Sequence, residues 1–327
     1  MRRIALILGA LALCAVPAVV LAHPLPGAPA CEIFPPDNPW NQRVDQLPVA
    51  TDSAALIASI GAGAPVHPDF GSGLYHGEPI GIPFAVVSQR IRRVPVSFEY
   101  ASESDGHLYP LPPRVPIEGG PRSTGDRHVI VVDRDSCRDY ELYAAHPLAG
   151  SSCQPRARQP ASLDRAAHES TSCWHAGSGA IFNLRSDHLR PAGWTSADAA
   201  GLPILPGLAR YDEVARGVID HALRFTAPCT AKAYIYPARH EASTCSGSSL
   251  PPMGLRVRLK AGVDITHLPY QARIVAQALK AYGMILADNG SPWYISGAPN
   301  ANWNNDALHL LDTLTGRDFE VVDTPRD

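Results

Sequence analysis

Six cysteines beyond residue 30 constrain the fold of this chain more than any other feature. They are Cys31, Cys137, Cys153, Cys173, Cys229 and Cys245. An even number of cysteines in an exported chain indicates three disulfides, although six cysteines allow about 15 connectivities. Proximity in the sequence favours Cys153–Cys173 and Cys229–Cys245, which leaves Cys31–Cys137 to tie the N-terminal region to a central hairpin. None of the six forms a CxxC pair, so the sequence does not indicate a zinc-binding or redox motif.

The first 22 residues have the pattern of an export signal. Two arginines precede an apolar run from Ile4 to Val20. Val20 and Ala22 are small residues at positions −3 and −1 of the expected signal peptidase cleavage site. We therefore expect a signal peptide at residues 1–22 and a secreted or extracellular protein, or a periplasmic one. Residues 23–30 are rich in proline and small residues and predict a short flexible tail. We expect no membrane association after cleavage, because no later segment is long and apolar enough to span a bilayer.

Charge and composition narrow the class of protein. The chain has a net charge of −3, and removal of the two arginines in the signal changes it to −5. This balance excludes a dominant basic face, so we expect no nucleic-acid partner. The 32 prolines and 26 glycines predict many turns and exclude a helical bundle. Without a repeat or a clear linker, residues 31–327 are expected to form one catalytic or binding domain; a division near residue 175 is the alternative.

The periodicity of apolar residues predicts an α+β fold. Asp52 precedes an apolar segment that ends at Gly61, which is typical of a capped helix. Asp212 begins a second helical pattern that continues to Leu223, and residues 271–282 form a third, amphipathic one. Alternation at 94–100 and apolar runs on both sides of residues 133–136 predict strands and a hairpin. We expect an antiparallel, jelly-roll-like β-sandwich with several peripheral helices, stabilised by disulfides.

Asp126, His128 and Glu141 form the strongest candidate catalytic group. Residues 126 and 128 share a strand face if the strand begins that early, and if Val132 pairs with Asp139, then Glu141 projects to that same face. Two carboxylates and an imidazole within cross-strand reach suit proton transfer, because clustered carboxylates raise one another's pKa. The same set could hold a metal ion through oxygen and nitrogen ligands. The alternative is an exposed polar sheet face with a salt bridge.

A second candidate group follows a predicted strand at residues 233–236. It consists of Tyr236, Arg239 and His240. Arginine binds carboxylates bidentately and histidine transfers protons near neutral pH, as a uronate-specific lyase requires. The basic residues at 256, 258 and 260 could extend such a site; alternatively, they form a solvated sheet face.

Two tryptophans are candidates for sugar binding, because the apolar faces of sugars stack on aromatic rings. Trp194 lies near Asp198, which we include as a candidate substrate-binding residue, and Trp293 follows a turn at 288–291. Packing in the core is the alternative for both tryptophans, and a local turn or cap is the alternative for Asp198.

Two long segments and two shorter ones support a resemblance to known proteins. The long segments are GWTSADAAGLPILPGL at 193–208 and YGMILADNGSPWYISGAP at 282–299; the others are FPPDNPWN at 34–41 and GDRHV at 125–129. With these segments the chain resembles a family of secreted, uncharacterised microbial proteins, from about Cys31 to Val322. The resemblance implies one continuous domain and assigns no activity and no catalytic residue.

The sequence therefore predicts a secreted enzyme that degrades polysaccharides. The first hypothesis is a glycoside hydrolase that uses the carboxylates of Asp126 and Glu141, with His128 adjusting their pKa values. A polysaccharide lyase centred on Arg239, His240 and Tyr236 is the alternative enzyme, and a non-catalytic secreted carbohydrate-binding protein is the alternative outside enzymes. We expect a polysaccharide or oligosaccharide as the partner and no obligatory cofactor, with a structural or catalytic metal ion left open.

Overall fold

A computed structural model describes residues 25–149, 153 and 172–324 of the chain. The expected signal peptide at 1–22 lies outside the described residues. In the predicted tail, Leu25 and Ala28 form a backbone bridge and are both fully buried in the larger core. This part of the segment therefore packs against the body of the protein.

Sixteen strands and four α-helices form from the described residues. The strands are β1 (His67–Asp69), β2 (Leu74–Tyr75), β3 (Glu78–Pro79), β4 (Phe84–Val87), β5 (Val94–Phe98), β6 (Leu108–Tyr109), β7 (Val129–Asp133), β8 (Arg138–Tyr143), β9 (His146–Ala149), β10 (Ser172–Ala176), β11 (Ser178–Asn183), β12 (Leu223–Ala227), β13 (Arg256–Leu259), β14 (Met284–Asn289), β15 (Tyr294–Ser296) and β16 (Phe319–Val321). The helices are α1 (Ser53–Ile60), α2 (Tyr211–Arg216), α3 (Tyr270–Ala281) and α4 (Asn305–His309).

The strands build three main sheets and one small hairpin. The large sheet has the order β1-β15-β12-β14-β13-β16, the middle sheet β11-β8-β7-β4 and the outer sheet β6-β5-β10-β9. Strands β2 and β3 pair with each other as a separate antiparallel hairpin. All three main sheets contain parallel as well as antiparallel pairs.

The middle sheet lies between two hydrophobic cores. In β7, Ile130 and Val132 belong to the larger core with the large sheet, whereas Val129 and Val131 belong to the smaller core with the outer sheet. All four side chains are fully buried, and complete burial of a side chain of this kind stabilises the fold by about 1.5–3 kcal/mol. Burial on both faces explains why this strand is a continuous apolar run and does not alternate.

The predicted helices agree with the structure to different degrees. Helix α1 ends at Gly61, as the pattern predicts, and α3 covers the predicted amphipathic segment within one residue. The second helix is much shorter than predicted: α2 ends at Arg216, because Gly217 adopts a left-handed conformation that stops the helix. Leu223, which the pattern places on that helix, begins the buried strand β12.

The α+β prediction is confirmed in its coarse form, with a fold made mostly of sheets. The antiparallel, jelly-roll-like sandwich is not confirmed, because parallel pairs run through every main sheet. In the large sheet, for example, β12 and β14 are parallel, and the chain between them passes through β13 and α3. Such a long crossover is what parallel pairing requires.

Three disulfides join the cysteines in the pairing that sequence proximity favours. They are Cys31–Cys137, Cys153–Cys173 and Cys229–Cys245. The first links the N-terminal region to the start of the middle-sheet strand β8. Among the described residues, no helix has both the length and the apolar character needed to cross a membrane.

Candidate functional site

A cleft of about 430 Å³ opens where the middle sheet meets the carboxyl end of β14. Its ionisable and aromatic lining residues include Glu103, Asp126, Tyr143, Asp198, His240 and Asp288. Loop residues and strand ends supply these side chains from six separate parts of the chain. Clefts of this size with converging polar groups are typical of ligand-binding sites.

A buried ion pair forms the floor of the cleft. Arg224 on β12 donates to both carboxylate oxygens of Asp198, at 2.9 Å from Nε and 2.7 Å from Nη2. Both residues are almost completely buried. Burial alone lowers the pKa of Arg224, but the adjacent Asp198 carboxylate outweighs it, and the pKa rises above its ordinary value. The pair therefore remains charged and fixes the position of Asp198.

Asp288 has the most perturbed carboxyl group that lines the cleft. Its pKa rises to about 7, first because the group is buried and then because the Asp198 carboxylate repels a second negative charge. Arg224, whose Nη2 lies 3.7 Å from the Asp288 carboxylate, opposes this shift without cancelling it. Near neutral pH about half of the Asp288 carboxyl groups therefore carry a proton. A carboxyl group in this state can donate that proton to a ligand in the cleft.

His128 lies beneath the cleft as a buried imidazolium. Its Nδ1 donates to Glu118 at 2.5 Å and its Nε2 donates to the carbonyl oxygen of Ala197 at 3.1 Å. Burial lowers the pKa of His128, but Glu118 more than compensates, and the pKa rises to about 9. For Glu118 the two effects have the opposite signs. Burial raises its pKa, but the charge and hydrogen bonds of His128 lower it by more, so that the pKa is below its ordinary value. Both ring nitrogens of His128 are therefore protonated, and each donates a hydrogen bond.

Residues 197–199, which we name the strap, are held at three consecutive positions. His128 binds the carbonyl oxygen of Ala197, Arg224 binds the carboxylate of Asp198, and His240 Nδ1 donates to the carbonyl oxygen of Ala199 at 2.8 Å. The other ring nitrogen of His240, Nε2, takes no part in this hydrogen bond. This Nε2 lies 3.9 Å from Glu103.

The structure confirms the strand register behind the first candidate group and keeps Asp126 close to His128, but Glu141 does not line the cleft. Val132 pairs with Asp139 and Ile130 with Glu141. Glu141 is nevertheless fully buried, and its carboxylate accepts the backbone N–H groups of Ile204 and Leu205 at 2.8–2.9 Å. Of Asp126, His128 and Glu141, only Asp126 lines the cleft. The structure thus places Glu141 in a supporting position inside the larger core.

Glu118, Asp126 and His128 form a cluster whose potential ligand atoms lie within 4.8 Å of one another. Both nitrogens of His128 already donate hydrogen bonds, and the residue is protonated at neutral pH. A metal ion needs a neutral imidazole nitrogen with a free lone pair. Binding would therefore require His128 to lose both a proton and a hydrogen bond, so the donor set fits a metal poorly.

The second candidate group does not converge on the cleft. His240 lines it, but Arg239 donates from Nε to the carbonyl oxygen of Arg190 at 2.9 Å. Tyr236 is half-buried, and its pKa is raised by burial and by the charges of Asp187 and Asp37, which do not line the cleft. His240 is therefore the member of this group that can touch a ligand there.

The arginines of β13 are structural. Arg256 donates to the carbonyl oxygens of Pro39, Gln42 and Tyr282. Arg258 binds Glu320 and the carbonyl oxygen of Leu47. Both side chains are buried, so neither forms the solvated basic face that alternation in the sequence suggests.

The two tryptophans predicted to bind sugars lie outside the cleft. Trp293 is fully buried, stacked between Phe225 and Phe319 at ring distances of 5.5 and 5.3 Å. Both of its faces are covered, so it offers no surface to a sugar. Trp194 is half-buried, with the guanidinium of Arg190 5.7 Å from its ring.

Sequence reasoning missed Asp288, Arg224 and Glu118. Asp288 follows the apolar run of β14, and Arg224 interrupts the apolar strand β12, so each is a charged residue in a segment that predicts burial. A buried charge requires a partner, and this signal could have indicated the two positions. No comparable local pattern marks Glu118, which lies in a loop.

Comparisons with protein-family models, with curated proteins and with solved structures find no match for this chain. The chemistry of the cleft is therefore the basis for any functional conclusion.

Proposed function

We propose that the protein is a secreted glycoside hydrolase, with Asp288 as the general acid and Asp126 as the second carboxylate. The observation that carries this proposal is a carboxyl group with a pKa of about 7 in a cleft that contains another, solvent-exposed carboxylate. Glycoside hydrolysis uses two carboxyl groups in different environments, one of which must remain protonated. Asp288 and Asp126 meet this requirement.

The roles of the neighbouring residues follow from their contacts. Asp288 would protonate the glycosidic oxygen, while Asp126 acts as nucleophile or as base for a water molecule. Burial raises the pKa of Tyr143 most, and the charges of Asp126 and Asp288 raise it further. The phenol of Tyr143 therefore lies close enough to both carboxylates to feel their charges. Arg224 and Asp198 keep the Asp288 environment fixed.

Glu103 and His240 complete the cleft as groups that can bind sugar hydroxyls. Glu103 is one-third exposed, and Nε2 of His240 lies 3.9 Å from its carboxylate. A sugar hydroxyl can donate to the carboxylate and exchange a hydrogen bond with the imidazole, so these residues would orient a sugar without taking part in proton transfer.

Export of the protein is part of this proposal. Three disulfides are favoured in an oxidising compartment outside the cytoplasm, and they support secretion together with the signal-like first 22 residues. An extracellular hydrolase for large polymers has to be exported, because a polysaccharide does not cross a membrane.

The lyase alternative has less support from the cleft. A uronate lyase needs a cation beside the substrate carboxylate, and the charged side chains that line the cleft are mainly acidic. The guanidinium of Arg239, its expected cation, is engaged with a backbone carbonyl group.

The proposal is tested with substrates that differ in leaving group. We expect Asp288→Asn to lose at least about a hundredfold in kcat on a natural polysaccharide, because proton donation is lost. On dinitrophenyl glycosides the same variant should retain most of its rate, since that leaving group needs no proton. Asp126→Asn should lose activity on both substrates.

Asp52→Asn is the matched control, because Asp52 is exposed and makes no side-chain capping hydrogen bond at the start of α1. It should behave as the wild type on both substrates. Full activity of Asp288→Asn on every hydrolysed polysaccharide would refute the assignment. Retention of glycans without release of products by the wild type would favour a carbohydrate-binding protein.

A further inference from the structure

Two more cavities lie beside the cleft. The first, which we name the hairpin cavity, has a volume of about 470 Å³. It is lined by the β2–β3 hairpin and by the loop at 118–125, including Asp69, Tyr75, His76, Glu78, Glu118 and Arg122. The second, the proline cavity, has a volume of about 420 Å³. It is lined mostly by apolar groups, including Pro79, Pro113, Pro116, Pro121, Pro147 and Trp174.

The three cavities adjoin in a row. Asp126 lines the cleft and Glu118 lines the hairpin cavity, and carboxylate oxygens of these two residues lie within 4.8 Å of each other. Glu78 and Pro79 line both the hairpin cavity and the proline cavity. We refer to the cleft and the two neighbouring cavities together as the groove.

Two aromatic side chains lie along this groove outside the cleft. Tyr75 is 69% exposed, one of the most exposed large apolar side chains among the described residues, and it lies at the tip of the β2–β3 hairpin. Trp174 on β10 is half-buried and lines the proline cavity. Exposed aromatic rings spaced along a groove suit the stacking of successive sugar rings, whose C–H faces are apolar.

The charges along the groove indicate which glycans it can take. Asp69, Glu78 and Glu118 outnumber Arg122 in the hairpin cavity, the proline cavity adds Arg114, and the cleft adds four acidic residues. Burial and the charge of Glu118 raise the pKa of Asp69, which shows how closely the acids are placed. A polymer that carries carboxylates would be repelled here, whereas sugar hydroxyls can donate to these oxygens.

We infer that the groove binds a polysaccharide chain of neutral sugars across all three cavities. This inference rests on the proposed function and adds the substrate class. Each cavity is large enough for a ligand of several rings, so a monosaccharide or disaccharide would fill only part of the groove. A long chain gains contacts in the hairpin and proline cavities that a short one lacks.

Binding is tested separately from hydrolysis, with the full-length Asp288→Asn protein and isothermal titration calorimetry. The probes are soluble mixed-linkage β-glucan, xylan and mannan, their disaccharides, and polygalacturonate. We expect one neutral polymer to bind at least about tenfold more tightly than its disaccharide, and polygalacturonate to bind more weakly than that polymer.

Substitutions in the two outer cavities then locate the binding surface. Tyr75→Ala and Trp174→Ala should each weaken polymer binding about 5- to 50-fold and leave disaccharide binding unchanged. Tyr270→Ala is the control, because Tyr270 is 50% exposed on α3 and does not line the groove. Thermal unfolding confirms that each variant is folded.

The outcomes separate this inference from the proposed function. Binding that depends on chain length without hydrolysis by the wild type would support the groove and refute the hydrolase. Hydrolysis with equal affinity for polymer and disaccharide, or unchanged binding in both aromatic variants, would overturn the groove. Tighter binding of polygalacturonate, or no binding of any neutral polymer, would overturn the substrate class.

Discussion

Ionisable side chains around the cleft determine one another's protonation states. Asp198 holds a positive charge on Arg224 and at the same time raises the pKa of Asp288. Glu118 holds a second positive charge on His128, which faces the strap from the other side. Two buried cations thus lie close to an acid that is still only half-ionised near neutral pH. Small changes at this cluster therefore alter both stability and proton donation.

The pair of His128 and Glu118 predicts a defined dependence of stability on pH. The pKa of His128 is about 9 in the folded protein, against 6.5 for an unpaired histidine. Its contribution is therefore complete below pH 6.5 and is lost as the pH rises to 9. A shift of this size corresponds to about 3 kcal/mol. We expect Glu118→Gln to lower the free energy of unfolding by about this amount at pH 6 and by little above pH 9.

Urea unfolding at several pH values checks this prediction. Asp312→Asn is the matched control, because Asp312 faces His309 in an exposed histidine–carboxylate pair at 3.9 Å. Its unfolding free energy should follow the wild type at every pH. A loss in Glu118→Gln that is the same at pH 6 and pH 9.5 would show that the charge of His128 is not involved.

At the scale of elements, strand β8 shows how a buried acid supports the site. Asp139 and Glu141 point into the larger core. Burial and the neighbouring Glu141 raise the pKa of Asp139 well above its ordinary value. Glu141 accepts the N–H groups of Ile204 and Leu205 at the start of the 3₁₀ turn Leu205–Gly207. The strand therefore anchors the end of the segment that contains the strap.

Substitution of Glu141 separates this anchoring role from catalysis. Glu141→Leu leaves two buried N–H groups without an acceptor, which costs about 1–3 kcal/mol each. Glu141→Gln keeps one carbonyl oxygen and should cost less. Folded Glu141→Gln protein should retain a kcat within about threefold of the wild type, because Glu141 does not line the cleft.

Denaturant unfolding and steady-state kinetics on one hydrolysed substrate provide the measurements. Glu99→Gln, at an exposed acid just after β5, should change neither stability nor kcat. A kcat loss in Glu141→Gln as large as that of Asp288→Asn would show that Glu141 takes part in catalysis, as the sequence hypothesis has it.

Sequence patterns predicted elements that depend on local residues. The β7–β8 register is confirmed because the turn and the flanking strands are adjacent in the chain. The burial of Arg256 and Arg258 was not predicted, because it depends on carbonyl groups at residues 39–47, more than 200 positions away. The same limit applies to the candidate site. The sequence pattern identified Asp126, but Asp288 is brought to the cleft by the pairing of strands that are far apart in the sequence.

At the scale of the whole molecule, the disulfides close loops of very different length. Cys31–Cys137 spans 106 residues, whereas Cys229–Cys245 spans 16. Closing a longer loop removes more entropy from the unfolded chain, about 4.7 kcal/mol for roughly 100 residues against about 3 for roughly 15. The pairing was predictable from proximity, but the layered arrangement that the long disulfide connects was not.

Removal of the long disulfide should therefore destabilise the protein more than removal of the short one. We expect the double variant Cys31→Ser/Cys137→Ser to lose about 1–2 kcal/mol more than Cys229→Ser/Cys245→Ser, because of the difference in loop entropy. Thermal unfolding under oxidising conditions compares the two. A larger loss in the variant without the 229–245 bond would contradict this expectation.

The two proposed catalytic acids are separated by 162 positions, and the later one belongs to the fourth strand of a sheet assembled from distant segments. No shorter piece of the polypeptide that ends before residue 288 contains both of them. During biosynthesis the reactive centre would therefore be completed among the last steps. Under the proposed function, a partly synthesised chain would stay inactive until strand β14 has been made and has paired with its neighbours.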